Sequence, residues 1–405
     1  MYQIQLTIKA KSPLAIGRRK PGGSVAETEN YITGSVIRGA VANLLIDLSN
    51  QHYNNLTENG GDFLQLFLAE KAAVFQNAYP AKSGTAISKV MPTTAVSSKT
   101  KPGLKNKNHG VFDTLIDRFC AEKNQSLYDP NCPTDGGRVE PFSGFYSRDG
   151  GKYSAHSVAT RLLTRVGINR RRATSEEQIL YSIHAINETQ GKERKPTTFV
   201  GAILLDNKDL AESLKQFIDS HEKSLLLGSS GSRGLGKVEF ETSLTEVKLD
   251  VKSKVDAFNK KLKNRWQQWQ IFNSEELPWP ESRKYFTINL QSDAVLIDNW
   301  LRTTVITEAM LKQFANVEDA SLKLEVAYSS YDYFCGWNAA WGLKKDTDLI
   351  TNKGGVYLFS TENPRLWYDK LAELEQKGIG EKTAEGFGQI EICNEFHLVL
   401  REEAV

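Results

Sequence analysis

A segment near the middle of the chain combines residue types that bind phosphate. It contains, in order, Gly228, Ser229, Ser230, Gly231, Ser232, Arg233 and Gly234. Glycine has no Cβ and tolerates a positive φ, so the backbone of such a segment can approach a ligand closely. Backbone N–H groups, serine hydroxyls and a guanidinium all donate hydrogen bonds to phosphate oxygens. The segment predicts a phosphate-binding loop, with a glycine-rich turn before a buried strand as the alternative.

Two common nucleotide-binding loops do not fit this segment. A P-loop needs Gly-Lys-Ser/Thr at the start of a helix, whereas Gly236 and Lys237 are followed by Val238 and an alternating, strand-like pattern. A dinucleotide-binding fingerprint follows a strand and opens a helix, which is the reverse order. The remaining prediction is a loop that contacts the phosphate backbone of a nucleic acid.

The glycine loop occurs twice in the sequence. Residues 234–240 (GLGKVEF) align without gaps with residues 386–392 (GFGQIEI). An amphipathic strand pattern that ends in a serine turn is also repeated, first up to Ser12 and again up to Ser292. The two motifs are much farther apart in the first copy, so the repeat predicts two copies of one small fold, the first enlarged by an insertion.

Each copy has the pattern strand, helix, strands, helix, glycine loop, strand. This order predicts an α+β fold of two ferredoxin-like modules, the layout of RNA-recognition motifs. We place the first module at 1–250, with an insertion at about 80–155, and the second at 285–405. Residues 251–284 are predicted as a helical linker, and the first helix is expected at 35–48 with Ser35 as its N-cap.

Charge is unevenly distributed along the chain although the net charge is only +2. Residues 1–240 contain 31 lysines and arginines against 23 acidic residues, and the remainder contains 20 against 26. Residues 71–112 and 152–172 contain no acidic residue. Long basic tracts without acids favour a polyanion partner, and a solvated surface is the alternative.

Several motifs together resemble the RAMP superfamily of CRISPR proteins. They are the two glycine loops, residues 32–45 (ITGSVIRGAVANLL), residues 165–186 (RVGINRRRATSEEQILYSIHAI) and the segment from Tyr333 onward (YFCGWNAAWG). The arrangement is most similar to the double-RAMP subunit of type III-D effector complexes, the Csx-ten proteins of the Cas-five-like group. The resemblance implies a subunit that binds the repeat-derived 5′ handle of crRNA and meets target RNA indirectly. Its implied protein partners are the large polymerase-like CRISPR subunit and the RAMP backbone subunits.

The resemblance also implies which side chains meet RNA. Arg38, one turn into the first helix, is expected to present its guanidinium to RNA, with Ser35 at the positive end of that helix. The second glycine loop is expected to add a weaker contact. The lysine-rich residues 81–110 are expected to form a mobile thumb across the guide RNA, or a solvated loop. The further expected RNA-binding residues are Arg18, Arg19, Lys20, Arg161, Arg165, Asn169, Arg170, Arg171, Arg172, Gly378, Gly380, Lys382 and Phe387.

An enzymatic role is the less favoured alternative. Some RAMP relatives cleave RNA without a metal by using a histidine as general acid or base, and His156 is the best candidate here. A third hypothesis is a structural adaptor with little RNA contact. A zinc site at Cys120, Cys132 and Asp129 or Asp135 is conceivable, but the ligand spacing is poor, and we expect ordinary thiols, no cofactor and no metal. No signal peptide or membrane segment is evident, so we expect a cytoplasmic protein.

Overall fold

The structure is a computed structural model that describes residues 1–18, 27–49, 61–69, 71–82, 87–105, 108–169, 174–272, 278–338 and 343–405. Within these ranges, the α-helices of eight or more residues are α1 Gly34–Ser49, α2 Leu115–Lys123, α3 Lys208–Ser220, α4 Val251–Trp269, α5 Glu308–Ala315 and α6 Tyr368–Lys377. A shorter helical segment covers Gly61–Phe63 and Leu64–Leu68. None of the described helices is both long enough and apolar enough to cross a bilayer.

The first sheet is antiparallel and is built from distant parts of the chain. Its order is Val238–Glu246, Tyr2–Ala10, Thr198–Leu205 and Val74–Phe75, with Tyr79–Ala81 also paired to Thr198–Leu205. Alternate residues of Tyr2–Ala10 are buried, as a sheet with one covered face requires. They share a core with the apolar side of α3, whose Asn207 accepts a hydrogen bond from Leu210 N as the N-cap.

The second sheet repeats this topology. Its order is Lys323–Tyr328, Val356–Thr361, Lys284–Leu290 and Ile390–Ile392. With Tyr79–Ala81 set aside, the first strand along the chain in each sheet lies between the third and the fourth, and the second lies at the edge. Helices α1 and α5 follow the first strands, and α3 and α6 precede the last. The mixed, antiparallel architecture confirms the predicted α+β class.

Helix α4 lies within the segment 251–284 that is predicted as a helical linker, and its apolar side is part of a core. Val251, Val255, Phe258, Leu262 and Trp266 are buried in the cluster that includes the second sheet. Their spacing places them along one stripe of the helix. Lysines occupy the positions between them, and for this reason the sequence pattern is that of a charged helix. The insertion's α2 packs into the same cluster.

The insertion folds against the C-terminal part of the chain. It contains a sheet of Val111–Asp113, Ala95–Ser98 and Val139–Pro141, and a second sheet of Lys152–His156, Phe145–Asp149 and Lys89–Val90. Met91, Phe112 and Tyr146 share a core with Phe396 and Val399. The described residues of 81–110 therefore do not form a separate thumb.

Lysines of this segment bind acidic or carbonyl groups of the same chain. Lys89 Nζ lies 2.7 Å from Glu391 Oε1, and Lys99 Nζ lies 3.0 Å from Glu140 Oε1. Lys105 Nζ donates to the Ala404 carbonyl oxygen at 2.8 Å. The counter-charge of Lys89 thus comes from the acidic second half of the chain, whereas that of Lys99 comes from the insertion itself.

The two glycine loops, residues 228–236 and 380–388, have the same backbone structure. Gly228, Ser230, Gly234 and Gly236 have positive φ, and so do Gly380, Lys382, Gly386 and Gly388 at the equivalent positions. In the first loop, Ser229 N donates to Ala15 O and Gly236 N to Pro13 O. In the second, Glu381 N donates to Val295 O and Gly388 N to Asp293 O.

The serine turns complete the repeat. Lys237 N donates to Ser12 Oγ at 2.9 Å, and Gln389 N donates to Ser292 Oγ at 2.8 Å. Each copy also has a long hairpin before the third strand of its sheet. We name Thr160–Asn169 with Thr174–Ile186 the first hairpin, and Tyr331–Asn338 with Leu343–Thr351 the second hairpin. They are tied to the sheets by equivalent bridges, Leu14 with Ile186 and Ala294 with Thr351.

Two alanine substitutions in the first loop separate backbone strain from steric overlap. Gly234 and Gly236 have φ of 83° and 86°, so alanine at either site costs about 1–3 kcal/mol in backbone conformation. A Cβ at Gly236 would lie 2.7 Å from Leu227 O, whereas at Gly234 it meets nothing within 4 Å. We expect Gly236→Ala to lower the free energy of unfolding more than Gly234→Ala, measured by urea unfolding. Equal losses would contradict the overlap.

Candidate nucleic-acid interface

The first glycine loop exposes polar groups above buried leucine side chains. Ser229, Ser232, Arg233 and Gly234 are exposed, whereas Leu227 and Leu235 beneath them are buried. Ser229 Oγ lies within 3.4 Å of Ala15 O, to which its N–H also donates, so this serine belongs to the base of the loop. The loop is therefore both a glycine-rich turn before a buried strand and an exposed set of donors.

Arg233 lies against the first hairpin. Its guanidinium carbon is 5.1 Å from the centre of the Tyr181 ring, within the range of a cation–π interaction. Tyr181 pairs across the hairpin with Arg165, which is exposed. Directly paired residues of antiparallel strands point to the same face. Arg165, Tyr181 and Arg233 thus form one surface, which we name the Arg–Tyr–Arg surface.

The hairpin is held in this position by a small apolar cluster. Leu163 and Ile183 pack with Ala15, Ala185 and Leu235. Leu163 pairs with Ile183 in the hairpin, two residues along each strand from the Arg165–Tyr181 pair. The cluster therefore fixes the Arg–Tyr–Arg surface beside the glycine loop. Sequence reasoning missed Tyr181, although its place in the motif at 165–186, among arginines, was a usable signal.

Arg161 has a different environment from Arg165. Arg161 Nη2 lies 2.8 Å from Glu188 Oε2. Both side chains are partly exposed, and such an ion pair contributes little to stability. The pair does lower the net positive charge around Arg161.

In the second glycine loop, an acidic residue neutralises the basic side chain. Buried Asp348 forms ion pairs with Lys382 and, at 2.8 Å, with Arg302. Asp348 lies three residues before Thr351 in its hairpin, where the first copy has Ile183, three residues before Ile186. The Lys382 ammonium is therefore already neutralised within the chain.

The other residues of the second loop that are predicted to contact RNA also pack against the same chain. The Phe387 ring lies edge-on to Phe334, with ring centres 5.6 Å apart. Gly378 ends α6 with φ of 80°, and a Cβ at Gly380 would lie 2.4 Å from Val295 O. The weaker RNA contact predicted for Gly378, Gly380, Lys382 and Phe387 does not match this packing.

The N-terminus of α1 is likewise occupied by the chain. The helix begins at Gly34, and Thr33 O accepts the first helical hydrogen bond from Ile37 N at 3.2 Å, so the prediction that Ser35 is the N-cap is wrong. Gly34 N donates to Asn77 Oδ1 at 2.8 Å. A Cβ at Gly34 would lie 2.9 Å from Glu385 O, so the second glycine loop covers this helix end. The anion site predicted at this helix end is therefore occupied by groups of the same chain.

Arg38 is also engaged internally. Its Nη2 donates to Phe67 O at 2.5 Å, and its guanidinium carbon lies 5.6 Å from the centre of the Phe67 ring. The side chain is partly buried, contrary to its predicted presentation to RNA. Arg19, Lys20, Arg170, Arg171 and Arg172, and the side chains of Arg18 and Asn169, lie outside the described residues, and their RNA contacts stay predictions.

His156 lies in the core of the insertion. Only 9% of its surface is exposed, and Nε2 lies 2.7 Å from Ser147 Oγ. Burial, and secondarily the charge of Lys82, lower the pKa of His156, so the imidazole is neutral at pH 7. A buried, hydrogen-bonded histidine gives an RNA phosphate little access.

Comparison with known proteins places the chain in a family. Residues 7–239, more than half of the sequence, match the RAMP superfamily. This protein belongs to the RAMP superfamily. The matched residues include the insertion, the first hairpin and the first glycine loop. They do not include the first residues of strand Tyr2–Ala10 or most of strand Val238–Glu246.

The RAMP protein is similar to solved subunits of type III-B Cmr-beta complexes. One such chain comes from the complex bound to cognate target RNA and AMPPnP. It has 12% sequence identity and a TM-score of 0.42, over 87% of this chain and 86% of that chain. With the complex bound to cognate target RNA, identity is 11% and the TM-score 0.39 over the same shares. With the apo state, identity is 12% and the TM-score 0.30, over 59% and 96%. Curated proteins give no match.

A double-mutant cycle tests the ion pair between Asp348 and Lys382 of the second loop. Asp348→Ile leaves Lys382 and Arg302 without their buried carboxylate, and we expect a loss of about 1–2 kcal/mol because both cations are partly solvated. Adding Lys382→Ser reproduces the isoleucine and serine of the first copy and should recover part of this loss. Urea unfolding of the single and double variants measures the coupling. A double variant less stable than Asp348→Ile would contradict this account.

Proposed function

We propose that this RAMP protein is a non-catalytic crRNA-binding subunit of a type III CRISPR effector ribonucleoprotein. It binds the repeat-derived 5′ handle of crRNA through the first glycine loop and the Arg–Tyr–Arg surface. The observation that carries this proposal is the stacking of Arg233 on Tyr181 beside exposed Arg165. Membership of the RAMP superfamily supports it.

The chemistry of this surface suits single-stranded RNA. Arginine guanidinium groups pair with phosphates or stack on bases, and tyrosine offers a face for base stacking. The glycine loop adds an exposed serine, Ser232, and a backbone without side chains at Gly234. Bases and phosphates of one strand can therefore be bound side by side.

The two sheets fit the finer architecture that this proposal assumes. Their shared strand order and helix placement suit two ferredoxin-like modules, one in each half. Only the first module has an open glycine loop, which suits a subunit at the 5′ end of the guide in a type III-D complex. The implied neighbours are the large polymerase-like subunit and the RAMP backbone subunits, with target RNA met indirectly.

Binding to end-labelled 5′-handle RNA in EDTA tests the RNA site. We expect Arg165→Ala and Arg233→Ala each to weaken binding about five- to tenfold and to lower the salt-dependence slope by about 0.7, the value for one phosphate contact on a single strand. Tyr181→Ala should cost about 1–3 kcal/mol if a base stacks there.

Lys382→Ala is the matched control, because it removes a lysine from the equivalent loop of the second copy. Its affinity and salt slope should equal those of the wild-type protein. Unchanged binding in both arginine variants would overturn the proposed site and favour the structural adaptor. Scrambled RNA in parallel separates handle preference from general attraction to RNA.

The same samples test the alternative of a processing endoribonuclease. We expect the RNA to remain intact on a denaturing gel in EDTA, because His156 is buried and neutral. Cleavage by the wild-type protein that disappears in His156→Ala would establish the metal-independent nuclease and refute the non-catalytic role.

A further inference from the structure

Three metal-binding side chains converge at one end of the insertion. His109 precedes the strand Val111–Asp113, and Cys132 and Asp135 lie in the turn before Val139–Pro141. One ligand atom from each residue lies within 4.8 Å of the other two. Cys132 Sγ lies 3.7 Å from His109 Nδ1, and Asp135 Oδ2 lies 3.1 Å from the same nitrogen.

These separations match those of a tetrahedral zinc site. Zn–S bonds of about 2.3 Å and Zn–N or Zn–O bonds of about 2.0–2.1 Å place sulfur and nitrogen about 3.6 Å apart and nitrogen and oxygen about 3.4 Å apart. A thiolate with an imidazole favours Zn²⁺ over Mg²⁺ or Ca²⁺, which prefer oxygen ligands. The three side chains would need only small shifts to bind the ion.

The arrangement does not suit a nucleophilic Cys-His-Asp triad. In a triad, one ring nitrogen faces the nucleophile and the other binds the carboxylate. Here the sulfur and the carboxylate oxygen both lie close to Nδ1 of His109. Three donor atoms this close together fit a metal site better than a triad.

A second layer of hydrogen bonds orients the ligands. Thr100 Oγ1 donates to Asp135 Oδ2 at 2.8 Å, and Gly137 N donates to Asp135 Oδ1 at 3.0 Å. Thr134 Oγ1 donates to the carbonyl oxygen of His109 at 3.3 Å. The Cys132 turn is closed by backbone bonds from Gly136 N to Cys132 O and from Cys132 N to Gly137 O. Such outer-layer partners are typical of protein metal sites.

We propose that His109, Cys132 and Asp135 bind one Zn²⁺ ion, with water in the fourth position. The ion joins the loop before Val111–Asp113 to the turn before Val139–Pro141 and so links these two segments of the insertion. The site differs from the ligand set considered from the sequence. Cys120 is fully buried in α2, within the apolar cluster of the second sheet, and does not take part.

Metal content and cobalt spectra of the full-length protein test this site. We expect about one zinc per chain after equilibration with ZnSO₄ and removal of free metal. Replacement by Co²⁺ should give a thiolate-to-cobalt charge-transfer band. Cys132→Ser should lose both signals, whereas Cys335→Ser, which replaces a buried cysteine in the second hairpin, should keep both.

Two further variants keep the test decisive if Cys132→Ser does not fold, which circular dichroism detects. Asp135→Asn should weaken Zn²⁺ binding in competition with a chelator, and Thr100→Val should weaken it about 10–100-fold, as loss of an outer-layer partner does. A wild-type protein without the cobalt band, or variants with wild-type affinity, would overturn the proposal.

Discussion

A glycine loop hydrogen-bonded to the end of a neighbouring strand is the interaction on which both halves depend. In each copy the loop precedes the last strand, and its backbone bonds fix that strand beside the first one, where a serine hydroxyl accepts the next N–H group. Positive φ at four equivalent positions makes this turn possible. Because the bonds are main-chain bonds, the loop conformation survives although its side chains differ.

That freedom at the side chains lets the two copies differ in role. The first loop has serines and Arg233 beside Tyr181, and it stays exposed. The second has Lys382 neutralised by Asp348, and its Gly386 lies against Gly34 of α1. The first loop therefore remains exposed, whereas the second packs against helix α1 of the first half.

Charge along the sequence has two separate uses in the fold. Lys89, Lys99 and Lys105 of the insertion bind groups of the same chain, whereas Arg165 and Arg233 are exposed. A count of basic residues cannot separate these cases, since the carboxylates that neutralise Lys89 lie about 300 positions later in the chain. The acid-free tract at 71–112 therefore does not by itself indicate positive charge that is free for a partner.

The sequence alone determined the elements and the repeat, because periodicity, caps and glycine positions are local properties. It predicted helical structure within 251–284, where α4 lies, and the serine turns of both copies. Tertiary structure alone decided which polar groups remain available. The positive end of α1 and the side chain of Arg38 are used by Asn77 and Phe67, which lie 43 and 29 residues away. It likewise brought His109 to Cys132, and Tyr181 to Arg233. These contacts depend on packing between segments that are distant in the sequence, and a local sequence pattern does not predict them.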